Sequence, residues 1–253
     1  MFNKLLQLFG GKKEENSALE DYSLMAADIH SHLIPAIDDG SPDMETTLEM
    51  LRQFKALGFK KIYTSPHVVA DGYNNSTEKI LKGRDAVREQ IAKQGIDIEF
   101  DAIAEYYADN SMFEKIEKRD LLTFGRNYVL IEFSYLQKQN VVLDIIYKLQ
   151  LAEYRVVLAH PERYPYYHEN DFKTYHSFKD RNVYFQINIG SLSGKYGKPA
   201  KQVAERLIDE KMVNFAGSDL HKVTQFDSLR ECLKLKHLEK LLTDPKLLNK
   251  TLV

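Results

Sequence analysis

The sequence predicts an α/β fold built on a parallel sheet. Seven short apolar segments alternate along the chain with segments whose apolar residues follow helical spacing. Strands that alternate with helices in this way are typical of parallel sheets with crossover connections. Histidines and carboxylates recur directly after these strands, at the edge of a parallel sheet where functional sites form. An open doubly wound sheet and a closed barrel share this alternation, so the pattern alone leaves both architectures open.

Each predicted strand is rich in β-branched or aromatic residues and is bounded by glycine, proline, asparagine or charged residues. The strands cover residues 26–29, 61–64, 97–103, 128–133, 155–159, 183–187 and 212–216. Helical spacing predicts helices over residues 43–57, 76–94, 141–152, 172–180, 199–210 and 228–242. Gly58 and Gly95 supply stop signals for the first two helices, and Pro199 lies in the first turn of the fifth.

A single domain is expected over residues 23–253, because no repeat, low-complexity tract or linker divides the region between residues 26 and 245. α/β barrels of this length are routinely single domains. Residues 1–22 are expected to form a variable N-terminal extension. Its start is apolar, but Lys4 and Gln7 interrupt the run and no small-residue cleavage site follows. This pattern favours a short amphipathic helix or a disordered segment over a secretory signal.

The composition indicates an ordinary globular protein of a reducing compartment. The 35 basic residues nearly balance the 37 acidic ones, which gives no general attraction to nucleic acid or to an anionic membrane. The single cysteine, Cys232, excludes an internal disulfide framework. No segment approaches the roughly 20 apolar residues of a transmembrane helix. We therefore expect a cytoplasmic location.

Potential metal ligands follow six of the seven predicted strands. They are His30, His32, His67, Glu105, Glu132, His160, Asp219 and His221. Side chains two positions apart on an extended segment point the same way, so the first two histidines form one pair and the last two residues another. Three or four protein ligands suffice for one catalytic zinc ion, so eight predict two or three ions. A single histidine at a strand end is more often structural, but ligand-type residues at six strand ends together favour a metal site.

Two loops add candidates to this site. Either Asp38 or Asp39 could complete a metal shell, although an Asp-Gly pair is also ordinary turn chemistry. Arg163 follows His160 closely and offers a planar fork for a phosphate or carboxylate; the alternative is a surface ion pair with Glu162. His168, His176 and His237 fall in loop or helix patterns and are interpreted as surface or packing residues.

The sequence excludes a cysteine-dependent phosphatase. That chemistry needs a thiolate followed six positions later by an arginine in a loop that binds phosphate. Position 238, six residues after Cys232, is a leucine in a leucine-rich helical segment. We therefore expect Cys232 to be a packing residue.

Taken together, these residues resemble the polymerase and histidinol phosphatase (PHP) superfamily, and within it the capsule-associated bacterial manganese-dependent protein-tyrosine phosphatases. The resemblance extends over about residues 26–235, in family order. The matching segments are Asp28-Ile-His-Ser-His32, Asp38-Asp-Gly40, Thr64-Ser-Pro-His67, Ala104-Glu105, Leu158-Ala-His-Pro-Glu-Arg163, Gln186-Ile-Asn188 through Gly197, and Gly217-Ser-Asp-Leu-His221.

The resemblance implies a distorted seven-stranded (β/α)7 TIM-like barrel with a trinuclear metal cluster. One ion would take His30, His32, Glu105 and Asp219, and Glu105 would bridge to a second ion held by Glu132 and His160. The third would use Asp39, His67 and His221, and Arg163 would bind the substrate phosphate. Asp39 and His67 are expected to act in catalysis with Arg163. The metal is expected to be manganese, although histidine and carboxylate ligands also suit iron, zinc or cobalt.

The implied reaction is hydrolysis of protein phosphotyrosine by a metal-bound hydroxide, without a covalent phospho-enzyme. The implied partner is a bacterial tyrosine kinase of the exopolysaccharide or capsule machinery. Three alternatives stay open: a small-molecule phosphatase of the histidinol-phosphate type, a metal-dependent amidohydrolase and a non-catalytic metal-binding regulatory module. The amidohydrolase is disfavoured because no predicted strand ends in the lysine that such a centre normally carries.

Overall fold

The computed structural model describes residues 17–168 and 171–253. The expectations for the first nine residues lie outside this range. Within it, nine strands pair in parallel in two sheets. They are β1 (Ala27–Asp28), β2 (Lys61–Thr64), β3 (His67–Val68), β4 (Glu99–Ala102), β5 (Glu105–Tyr107), β6 (Tyr128–Glu132), β7 (Arg155–Ala159), β8 (Tyr184–Asn188) and β9 (Phe215–Gly217).

The two sheets have the orders β1-β2-β4 and β3-β5-β6-β7-β8-β9. The seven predicted strand regions become nine strands because residues 65–66 separate β2 from β3 and residues 103–104 separate β4 from β5. Pro66 has no backbone N–H to donate. Backbone hydrogen bonds nevertheless cross both interruptions, from Ile103 N to Thr64 O (2.8 Å) and from Glu105 N to Pro66 O (3.1 Å). The two sheets therefore continue into one another as a parallel-strand half-barrel.

The first and last strand regions lie next to each other. Asp219 N donates to His30 O (2.7 Å) and His32 N donates to Leu220 O (2.9 Å). At the other end of these strands, the buried side chain of Asn249 links Ala27 to Ala216. Its Nδ2 donates to the carbonyl oxygens of both, and its Oδ1 accepts from the backbone N–H of Ala216.

The described residues form eight α-helices, of which the first six connect strands and the last two follow β9. They are α1 (Met44–Ala56), α2 (Thr77–Gln94), α3 (Ser111–Lys118), α4 (Val142–Leu151), α5 (Lys173–Asp180), α6 (Lys198–Asp209), α7 (Phe226–Cys232) and α8 (Lys236–Thr243). Asp43 and Ser76 cap α1 and α2 by accepting hydrogen bonds from the backbone two or three residues into each helix. Gly95 ends α2 with a left-handed φ of 62°, as the stop signal predicts. None of these helices is both long and apolar enough to cross a membrane.

Two helical predictions differ from the structure. Helix α3 was not predicted, because it has only two turns and buries only Met112 and Ile116. The single helix predicted over residues 228–242 is divided into α7 and α8. Leu235 lies between them in an extended conformation, and α8 then turns Leu238, Leu241 and Leu242 toward the core.

Alternate residues of the strands form an apolar cluster on the concave side of the half-barrel. Its members include Ala27, Tyr63, Ile103, Leu130, Val157 and Phe215. Because side chains alternate along a strand, positions two or four residues further on face the same side. Glu132 follows Leu130 by two, Glu105 follows Ile103 by two and His67 follows Tyr63 by four. The apolar interior thus continues into a polar site at the carboxyl ends of the strands.

Candidate metal centre

The structure brings all the predicted metal ligands together at the carboxyl ends of the strands. Four overlapping sets have ligand atoms within 4.8 Å of one another. The sets are His30-His32-Glu105, His30-His160-Asp219, His67-Glu105-Glu132 and His32-Asp39-His67-His221. The residues predicted as ligands thus lie together in one place in the structure. His168, His176 and His237 lie outside these sets, as expected.

Glu105 lies at the centre of the cluster. Its Oε2 is 3.1 Å from His30 Nε2, 3.6 Å from His32 Nε2 and 3.2 Å from His67 Nδ1. Its Oε1 is 2.9 Å from His160 Nε2. One buried carboxylate thus faces four imidazoles, an arrangement that suits a bridging ligand.

Several of these buried atoms have no hydrogen-bond partner. They are His30 Nε2, His32 Nε2, His67 Nδ1 and Glu105 Oε2. Buried polar groups are normally hydrogen-bonded, so four such atoms in one place require an explanation. Each is close to its neighbours but is not aligned for a hydrogen bond with them. Imidazole nitrogens and carboxylate oxygens that converge in this way are suitable ligands for divalent transition metals, so the residues fit a metal cluster.

The grouping of the ligands differs in part from the implied trinuclear assignment. His67 Nδ1 lies 3.3 Å from Glu132 Oε1, and its Nε2 lies 3.5 Å from Asp39 Oδ1. His67 therefore joins two sets, whereas the assignment placed it in one. His160, which was expected beside Glu132, is grouped with His30 and Asp219. The grouping of the ligands depends on the rotamers of the imidazole side chains, which a sequence pattern does not specify.

The two loop aspartates have different positions. Asp38 is buried, and its Oδ2 accepts hydrogen bonds from His32 Nδ1 (2.8 Å) and from the backbone N–H of His67 (3.0 Å). Asp39 is 55% exposed, and its Oδ1 is 3.5 Å from both His67 Nε2 and His221 Nε2. Asp38 therefore orients His32, and Asp39 is the aspartate that faces the metal site.

A chain of buried amides connects two of the ligands. His30 Nδ1 is 2.8 Å from Gln186 Oε1, and Gln186 Nε2 donates to Asn188 Oδ1 (2.9 Å). Asn188 Nδ2 in turn donates to Asp219 Oδ2 (2.6 Å). Since Gln186 Oε1 can only accept, it fixes the proton of His30 on Nδ1 and leaves Nε2 free to bind a metal. The family resemblance includes Gln186 and Asn188 but implies no role for them. The sequence signal for such a role is the presence of polar amides in the buried strand β8.

Arg163 and Glu162 do not form the alternative surface ion pair. Glu162 is fully buried, and its Oε1 accepts from Asn188 N (2.9 Å) and from Ser191 Oγ (2.6 Å). Arg163 Nη1 instead donates to Asp219 Oδ2 (2.8 Å). Its guanidinium carbon lies 4.1 Å from the ring centroid of Tyr196 and 4.7 Å from that of Tyr135. Cation–π contacts thus hold Arg163 at the metal site.

A cleft of about 370 Å³ opens onto the cluster. Its lining includes six predicted ligands and Arg163, together with Tyr135, Tyr196, Lys222 and Gln225, which the sequence pattern did not identify. The signal for Lys222 was its position directly after His221. Tyr164 and Tyr167, which follow Arg163 closely in the chain, are buried and pack in the core.

Burial and charge shift the pKa values of the ligands in opposite directions. Burial, with the Glu105 carboxylate, raises the pKa of Glu132 to about 7. Burial lowers the pKa of His160 to about 4. Burial would also lower the pKa of His30, but Glu105 and Asp219 raise it to about 9. Burial and the Glu105 carboxylate thus disfavour the anionic form of Glu132, and a bound cation would favour it.

Two glycines let the backbone approach the first pair of histidines. A Cβ on Gly217 would lie 2.5 Å from His30 Cβ, and one on Gly40 would lie 2.4 Å from His32 Cβ. Two of the ligands also have left-handed backbones, with φ of 33° at His160 and 52° at Asp219. Such conformations in residues other than glycine concentrate at functional sites.

The fold and the cluster define a metal-binding α/β protein whose site lies at the carboxyl ends of parallel strands. The chain belongs to the CpsB/CapC family of capsular polysaccharide synthesis, whose family model matches residues 26–244. This membership agrees with the resemblance found in the sequence.

The chain is similar to bacterial tyrosine phosphatases. The chain is 32% identical over 197 residues to the tyrosine-protein phosphatase YwqE of Bacillus subtilis, which covers 78% of this chain and 77% of YwqE. It is 28% identical over 202 residues to the tyrosine-protein phosphatase CpsB of Streptococcus pneumoniae, covering 78% and 83%. Among solved structures, it matches one from work on YwqE and CpsB, described as unique metal-dependent tyrosine phosphatases. The TM-score is 0.73 at 30% identity, covering 85% of this chain and 84% of the other.

Proposed function

We propose that this protein is a metal-dependent protein-tyrosine phosphatase. The observation that carries the proposal is the central Glu105, which faces four imidazoles, three of them through buried atoms that lack hydrogen-bond partners. The cleft above this cluster also contains Arg163, which can bind a phosphate. The relatives that share most of the chain are tyrosine phosphatases, which favours this activity over other metal-dependent hydrolyses.

Two or three divalent ions would be held by the residues of the four ligand sets: His30, His32, Asp39, His67, Glu105, Glu132, His160, Asp219 and His221. Manganese is the proposed metal, and the same ligand types also suit iron, zinc or cobalt. Bound ions would neutralise the charge of a phosphate monoester and lower the pKa of bound water toward about 7.

The protein's own residues position the substrate. Arg163 presents a planar guanidinium that suits two phosphoryl oxygens, and its contacts with Tyr135 and Tyr196 restrict its rotation. Asp39 and His67 lie at the open side of the cluster, where they border the cleft. A phenolate leaving group has a pKa of about 10, so it departs more readily than the alkoxide of phosphoserine.

The finer architecture belongs to the same proposal. We infer a closed, distorted barrel with seven strand positions over residues 23–253, preceded by the extension 1–22. The hydrogen bonds between His30 and Asp219 and between His32 and Leu220 support closure at one end, and Asn249 supports it at the other.

The proposed substrate is a phosphotyrosine protein, and the proposed partner is a bacterial tyrosine kinase of capsule or exopolysaccharide synthesis. The family's connection with capsular polysaccharide synthesis supports this partner. A cytoplasmic location fits the single, buried cysteine, since reduced thiols are typical of that compartment.

The proposal is tested by an assay of the protein loaded with each candidate metal on phosphotyrosine, phosphoserine and histidinol phosphate. We expect hydrolysis that prefers phosphotyrosine, is highest with manganese and falls at least about 100-fold in His160→Ala, which removes a ligand. His176→Ala, a substitution outside the site, is the control and should retain full activity.

The other outcomes identify the alternatives. A preference for histidinol phosphate would indicate a small-molecule phosphatase on the same cluster. An absence of activity with every metal, together with stoichiometric metal binding, would indicate a regulatory module.

A further inference from the structure

Tyr135 is a cleft residue to which neither the sequence nor the proposed function assigns a role. It lies three residues beyond β6, is 39% exposed and lines the cleft together with His160 and Arg163. Its ring stacks on the imidazole of His160 with centroids 5.5 Å apart. Its hydroxyl lies 3.1 Å from His160 Nε2. The polar end of the side chain therefore points at the metal cluster.

Arg163 fixes the ring of Tyr135 from another direction. The guanidinium carbon is 4.7 Å from the ring centroid, within the range of a cation–π interaction. The same guanidinium reaches Asp219 at the opposite side of the cleft. The hydroxyl of Tyr135 and the N–H groups of Arg163 are thus neighbouring hydrogen-bond donors on one side of the cleft.

The hydroxyl lies 3.1 Å from His160 Nε2 and 3.4 Å from His160 Nδ1, and it cannot donate its hydrogen to Nε2 when the cluster is loaded. His160 Nε2 faces Glu105 and is the nitrogen that would act as a ligand. A neutral imidazole has one nitrogen that accepts, and a nitrogen that binds a metal no longer accepts a hydrogen bond. The proton of His160 then lies on Nδ1, which is a donor. The Tyr135 hydroxyl consequently requires another acceptor in the cleft.

A substrate phosphate bound in the cleft beside Arg163 would supply such an acceptor, because it carries several oxygen atoms. We propose that Tyr135 is a catalytic residue whose hydroxyl donates a hydrogen bond to the phosphoryl group bound by Arg163. This inference rests on the proposed phosphatase function. The Tyr135 hydroxyl adds a neutral hydrogen-bond donor beside the cationic guanidinium of Arg163. The two groups together would orient the phosphoryl group as well as neutralise its charge.

Tyr135→Phe tests the role, because it removes the hydroxyl and retains the ring on which His160 and Arg163 pack. Two quantities are measured on the manganese-loaded protein: the affinity for inorganic phosphate by titration calorimetry, and kcat/KM for phosphotyrosine. We expect phosphate binding about 5- to 10-fold weaker, as for one lost hydrogen bond. We expect kcat/KM to fall about 10- to 100-fold, since the bond is strongest on the reacting group. Metal content should equal that of the wild type.

Tyr147→Phe is the matched control. Tyr147 is 63% exposed on α4 and lies outside the cleft, so the same loss of a hydroxyl should change none of these values. Unchanged phosphate affinity and kcat/KM in Tyr135→Phe would overturn the inference. So would a loss of bound metal in Tyr135→Phe, because the hydroxyl would then support the cluster instead of the substrate.

The test separates this inference from the proposed function. If the wild-type protein hydrolyses no phosphotyrosine, the proposed function fails. Phosphate calorimetry still decides whether the Tyr135 hydroxyl contacts a bound phosphoryl group. If the wild type is active and Tyr135→Phe equals it in both measurements, only the role of Tyr135 fails.

Discussion

At the scale of single residues, the site depends on which atom of each ligand faces the cluster. His30 offers Nε2 because Gln186 binds its Nδ1, and His32 is held in the same way by Asp38. Asp219 turns one oxygen toward His30 and the other toward Asn188 and Arg163. These partners select the tautomer and the rotamer before any ion binds, which reduces the cost of assembling the centre.

Gln186→Leu tests this orientation at one residue. The substitution nearly preserves volume but leaves His30 Nδ1 without an acceptor and Asn188 without a donor. We expect manganese affinity to fall by about 10- to 100-fold, the usual loss when a partner of a ligand is removed. Competition with a chelator measures this affinity. Gln202→Leu, on the exposed surface of α6, is the control, and equal affinities in the two variants would contradict the expected role.

The sequence identifies the residues that cluster at the site because histidines and carboxylates recur at the ends of the strands. It predicts their partners poorly. Gln186 and Asn188 occupy a buried strand without any charge, and Tyr135 is one of several tyrosines in loops. The orientation of these partner side chains depends on the backbone turns at His160 and Asp219. It also depends on contacts between residues that are far apart in the chain.

At the scale of elements, strands β1 and β9 must lie very close to each other. Gly217 allows this approach, because a side chain there would overlap both His30 and Gln186. The strands themselves were predicted from their apolar runs, and the capped helices α1 and α2 from their end signals. The breaks between β2 and β3 and between β4 and β5 were not predicted. Pro66, which has no backbone N–H to donate, is the local sequence signal at the first of these breaks.

Gly217→Ala tests the close approach. A methyl group 2.5 Å from His30 Cβ and 2.9 Å from Gln186 Nε2 must displace the first strand, so we expect a loss of about 1 to 3 kcal/mol in the free energy of unfolding. Metal binding should weaken with it, because His30 moves. Gly72→Ala is the control, since its new Cβ would lie 3.8 Å from Val69 in ordinary contact. Denaturant unfolding and metal titration measure both effects, and two variants of equal stability would contradict the steric argument.

At the scale of the whole molecule, one buried side chain near the C-terminus joins the first strand region to the last. Asn249 makes three hydrogen bonds to the backbone of Ala27 and Ala216. The Asn249 side chain thus takes the place of backbone hydrogen bonds that the two short strands do not form with each other at Ala27 and Ala216. The Asn249 contact at one end and the backbone hydrogen bonds beside the metal site at the other end together hold the first and last strand regions side by side.

Asn249→Ala is therefore expected to destabilise the entire fold. It leaves buried backbone groups of Ala27 and Ala216 without partners, which costs about 2 to 4 kcal/mol in the free energy of unfolding. Urea denaturation followed by circular dichroism gives this value. The exposed neighbour Lys250, replaced by alanine, should change stability by less than about 0.5 kcal/mol. A similarly small effect of Asn249→Ala would show that the two edges hold together without it.

The contact between the first and last strands also governs when the centre can be completed during synthesis. His30 is made early, whereas Asp219 and His221 leave the ribosome about 190 residues later, as the separation of Asp28 from Ser218 shows. Early ligands such as His30 and Glu105 can collect metal only in an incomplete shell while the chain is still growing. The full set of clustered residues consequently exists only once residue 221 has been made, so the centre cannot be complete on a shorter nascent chain.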